Sequence, residues 1–77
     1  MLENILKDIL EATQLYARLT KRAHILDKQI ISMSSIMMAH AKSGDYAACK
    51  RLQYNYNEMI SRRIQLETDI SLCKNNL

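Results

Sequence analysis

An apolar residue recurs every third or fourth position through the first half of this chain. The series runs Leu2, Ile5, Ile9, Ala12, Tyr16, Leu19, Ala23, Leu26, Ile30, Met33 and Met37, and His40 takes the next place. Spacings that average about 3.5 residues keep one stripe of an α-helix turned toward a partner helix over many turns. The period restarts after Gly44 as Cys49, Leu52, Tyr56 and Met59, then Leu66, Ile70, Cys73 and Leu77, with Arg63 as its only polar member. A chain with this pattern packs helix on helix, which makes it all-α.

Between the two series stands Ser43-Gly44-Asp45, the only place with turn chemistry in a chain that has one Gly and no Pro. Gly44 can adopt a left-handed conformation without steric cost, and Asp45 can cap a following helix. The sequence therefore predicts a single domain over residues 1–77: helix one over about 2–42, a turn at 43–45 and helix two over about 46–74. Asn75-Asn76 reads as a frayed end. Such a stop and restart is the mark of an antiparallel, coiled-coil-like two-helix hairpin.

The two arms differ in length. Folding the chain back about Gly44 sets residue i opposite roughly 88 − i, so the second arm reaches only to about residue 11. Leu2, Ile5, Leu6, Ile9 and Leu10 then overhang without a partner. Burying each such side chain is worth about 1.5–3 kcal/mol, so a cover from outside the hairpin is expected. Helix one also carries apolar residues beyond its seam, Leu15 and Ile36 on one flank and Leu10, Ile31 and Met38 on the other. Residues 30–41 are apolar nearly all round, a pattern typical of a helix surrounded on several sides. Two arrangements satisfy this excess: a homodimeric four-helix bundle, or a heteromeric groove that accepts a different helix. The expected partner-binding residues are Leu6, Leu10, Leu15, Ile31, Ile36, Met38 and Tyr54.

Composition narrows the function classes. With 77 residues the chain sits near the lower limit for a self-sufficient core. Its aromatic residues are four tyrosines, and its five methionines suit surfaces that adapt to a partner. No run approaches the roughly 20 apolar residues of a membrane-spanning helix, so no membrane insertion is expected. Met1-Leu2-Glu3-Asn4 has no basic leader, which favours a cytoplasmic setting. Cys49 and Cys73 fall on one predicted helix about 36 Å apart, too far for an internal disulfide, and are expected as buried free thiols on the seam. His24 and His40 lack metal-ligand spacing to any Cys. No nucleophile–base pair can be assembled from the scattered carboxylates, so neither enzyme activity, cofactor nor metal is expected.

Basic pairs occur at Lys21-Arg22, Lys50-Arg51 and Arg62-Arg63, and the net charge is +3. Arranged on a four-helix bundle they could neutralise phosphates of structured RNA, the alternative functional reading. In the folded-back register Lys21 and Arg22 approach Glu67, which instead favours a salt-bridged surface. Arg63, at a seam position, is expected to snorkel or to meet an acidic residue of a partner. Tyr56 belongs to the seam. Tyr54 points elsewhere, half-exposed, as an interface anchor. The stretch Ser43-Gly44-Asp45-Tyr46-Ala47 is similar to the turn inside a tetratricopeptide unit, but it occurs once and a plain hairpin turn explains it equally well.

The Ser43-Gly44-Asp45 turn, the long first helix rich in Ile, Leu and Met, and the apolar second helix with a short polar tail together resemble the small helical-hairpin co-chaperones of type III secretion needle subunits. The resemblance covers the whole chain as a layout rather than as a motif. It implies a cytosolic, non-enzymatic chaperone or adaptor subunit. Its partner would be a larger chaperone of tetratricopeptide-like helical repeats, and the pair would cradle an export substrate. The Tyr54-Asn55-Tyr56-Asn57 run and the apolar segment 30–41 depart from that layout.

Overall fold

A computed structural model describes all of residues 1–77 and shows two helices, α1 (Leu2–Lys42) and α2 (Tyr46–Asn75), with no strands. They pack against each other as an extended antiparallel hairpin measuring 64 × 15 × 14 Å. At about 1.5 Å per residue α1 alone accounts for that length. The second helix continues through Asn75, so Asn75 is helical rather than part of a frayed tail.

The reversal is built from backbone hydrogen bonds. Gly44 takes φ 82°, the left-handed conformation that L-residues with a Cβ resist. Its N–H donates to Ala41 O at 3.1 Å, and Asp45 N–H donates to His40 O at 2.9 Å. These two bonds form a Schellman closure and satisfy carbonyls that the end of α1 would otherwise leave unpaired. Asp45 then caps α2, its Oδ1 accepting from Ala48 N–H at 3.1 Å. Two helices are thus terminated and restarted within three residues.

The seam follows the repeat. Ala12, Tyr16, Leu19, Ala23, Leu26, Ile30, Met33, Met37 and His40 of α1 are buried or half-buried, as are Cys49, Leu52, Tyr56, Met59, Arg63, Leu66, Ile70 and Cys73 of α2. The most enclosed residues are Leu19, Ala23, Leu26, Ala48 and Cys73. Ala48 lies off the repeat; its small side chain lets the two helices approach closely beside the turn. Leu77, counted in the periodic series, lies past the end of α2 and is exposed.

Two thiol hydrogen bonds between the helices mark the register. Cys49 Sγ donates to Met37 O at 3.1 Å, and Cys73 Sγ donates to Ala12 O at 3.4 Å. Both thiols are free; Cys73 is buried as expected, while Cys49 is only half-buried because it sits near the open flank of the turn. With Cys73 opposite Ala12, α2 ends where the overhang of α1 begins. Leu2 is 70% exposed and Leu10 57%.

Candidate functional site: an apolar surface around the first helix

In the seam register, side chains of α1 one residue after each seam position lie on one flank and those one residue before lie on the other. The first flank carries Leu6, Leu10, Ile31 and Met38, all exposed, with Ile31 at 66%. Near the turn this flank opens into a shallow groove lined by Ser34, Met38 and Ala41 of α1 with Cys49, Gln53 and Tyr56 of α2. Leu15 and Ile36 belong to the second flank. There Leu15 shares one groove with Leu19, Leu72 and Cys73, and another with Arg18, Arg22 and Ile25. Tyr54 stands on the outer face of α2, 70% exposed, and lines none of the three grooves. The seven expected partner-binding residues are therefore all exposed, but they divide among three directions.

Sequence reasoning passed over three large exposed aliphatics, Ile25, Ile64 and Leu72. Reading the flanks of each seam residue in turn, rather than the seam alone, would have found Ile25 on the Leu15 flank and Ile64 one residue after Arg63.

The one extended charge network lies on the first flank, beside the middle of the seam. Arg63 Nε donates to Asp27 Oδ1 at 2.6 Å, and its second guanidinium nitrogen donates to Glu67 Oε2 at 2.9 Å. The hydrogen bond to Asp27 above all, then that to Glu67, holds the guanidinium pKa above its ordinary value. Two expectations are corrected here. Arg63 neither snorkels free nor awaits a partner's acid, because an acidic residue of its own chain comes within reach on the neighbouring helix. Glu67 in turn serves Arg63, one helical turn away, rather than Lys21 or Arg22 across the hairpin.

Elsewhere the surface charge is sparse in pairing. Among the Lys and Arg side chains only Arg62, which approaches Glu58 at 4.0 Å, and Arg63 make ion pairs. No three His, Cys, Asp or Glu side chains gather in a geometry that could hold a metal ion. No helix is long and apolar enough to cross a membrane. Comparison with protein-family models, with characterised proteins and with solved structures gives no match.

Proposed function

We propose that this hairpin is a non-enzymatic docking subunit, a cytoplasmic chaperone or adaptor that joins a larger helical-repeat protein through α1. The observation that carries the reading is the uncovered aliphatic surface of α1. Leu2, Ile5, Leu6, Ile9 and Leu10 extend beyond α2, and Ile31 and Met38 expose a second apolar group on the Leu6 and Leu10 flank nearer the turn. A single partner groove contacts one face of a helix, so the docking residues are Leu6, Leu10, Ile31 and Met38. Anchors at helical spacing would supply most of the binding energy. The resemblance to the needle-subunit co-chaperones supports the same reading and supplies the kind of partner, a concave array of helical repeats together with an export substrate.

The test is copurification of the native chain with and without Leu10→Asp combined with Ile31→Asp. The double variant should lose the partner, with affinity falling at least about a hundredfold as two desolvated anchors are replaced by charges. It should also stay in solution better when expressed alone. Unchanged partner binding and unchanged solubility would sink the proposal. The alternative, a homodimeric bundle that binds structured RNA, draws its support from the unpaired Lys21-Arg22 and Lys50-Arg51. It requires RNA affinity that falls steeply with salt, whereas the docking reading requires none.

A further inference from the structure

A second stripe runs along α1 beside the seam, each member one residue before a seam position: Asp8, Glu11, Leu15, Arg18, Arg22 and Ile25. Its charges are ordered as two acids, a leucine and two arginines. All four charged side chains are exposed, and none makes an ion pair within the chain. Arg22 shares a groove with Asp69, yet Asp69 accepts from Gln65 Nε2 at 3.0 Å instead. Leu15 lies at the centre of the stripe, 48% exposed, with the exposed Leu72 of α2 beside it.

Read backwards, this order is its own complement. We infer that α1 pairs antiparallel with α1 of a second copy about a two-fold axis at Leu15. Asp8 then faces Arg22 of the second copy, Glu11 faces Arg18 of the second copy, and the two Leu15 side chains meet on the axis. Each pair occurs twice because the symmetry operator repeats it. The contact from Asp8 to Arg22 spans about 21 Å of helix. The two Leu72 side chains close over the central leucines.

The charges also disfavour the competing arrangements. A parallel pair sets Asp8 against Asp8 and Arg22 against Arg22. Sliding the antiparallel register by one heptad in one direction centres it on two Glu11 side chains, and in the other direction on two Arg18 side chains. Only the register about Leu15 gives all four charged residues an unlike partner: a slide of three or four residues keeps just Asp8 with Arg18, or Glu11 with Arg22, and the parallel and heptad-shifted arrangements bring like charges together. The pairing uses the flank opposite Ile31 and Met38, so it goes beyond the docking reading and neither one's failure carries over to the other.

Sedimentation equilibrium of the full chain tests the inference. The wild-type chain should be a dimer at about 0.05 M salt and dissociate toward monomer at about 0.5 M, because these pairs are exposed and screened. Asp8→Arg with Glu11→Arg should weaken the dimer roughly tenfold or more, and so should Arg18→Glu with Arg22→Glu, since each leaves like charges facing across the axis. Mixing the two variants one to one should restore a dimer containing one of each. Carrying all four changes in one chain should restore the homodimer. Circular dichroism identifies any variant that fails to fold, and restoration in the mixture excludes misfolding as the cause of the loss. A wild-type monomer at low salt and high concentration, or a dimer indifferent to both half-reversals, would overturn the inference. So would half-reversed chains that do not recover on mixing.

Discussion

Gly44 and Asp45 show how much of a fold can rest on two adjacent residues. A Cβ added at Gly44 would touch nothing within 4 Å, so the cost of Gly44→Ala is purely that of a left-handed backbone at φ 82°. That cost is about 1–2 kcal/mol, which in a domain of this size lowers the thermal midpoint by several degrees, measurable by circular dichroism. Asp45→Ala should cost about 1 kcal/mol by freeing the Ala48 N–H. Both effects were legible in the sequence because turn chemistry is local. Arg63 was harder to read. Its partner depends on the exact offset between helices and on the reach of a guanidinium toward a flanking residue, neither of which a periodic pattern encodes. Removing the acid, with Asp27→Ala, should lower the midpoint by leaving a seam cation half satisfied. Arg63→Leu should raise it, since an apolar residue replaces the charged network in the seam. The reverse order of midpoints would show that this network is a net stabiliser.

The two helices are unequal elements, and their exposure follows from that inequality. Leu26 is enclosed between them, so Leu26→Ala should cost about 2 kcal/mol in thermal or chemical unfolding. Leu10→Ala should change the stability of the monomer, at about 0.5 M salt, by no more than about 0.5 kcal/mol, because Leu10 is 57% exposed and lies beyond the Ala12–Cys73 contact near the end of the seam. A large loss at Leu10 would mean that the overhang is folded onto something within the hairpin or within a second copy, which sedimentation would separate. The seam itself could be written down from the 3-4 repeat almost residue by residue, since helical period and burial share one cause. The same repeat says nothing about which flank faces which neighbour. For that reason the expected partner-binding set joins Leu15, Ile36 and Tyr54 to Leu10 and Ile31, although the register sends them in other directions.

At the scale of the whole molecule, the rod is closed at one end and open at the other. Cys49 contacts Met37 across only 12 residues of chain, whereas Cys73 contacts Ala12 across 61. Closing the longer loop first would cost about 1.4 kcal/mol more in chain entropy, so assembly proceeds like a zipper from Gly44 outward and reverses from the far tip. Along the seam, hydrogen exchange should therefore quicken with distance from Gly44 and be fastest at the tip, where Ala12 and Cys73 meet. Every transient parting of that tip lengthens the bare track of leucines and isoleucines by another turn of helix. On the docking reading proposed above, affinity for a partner helix and firmness of the last closed turn move in opposite directions, so a variant that seals the tip more tightly should bind that partner less tightly.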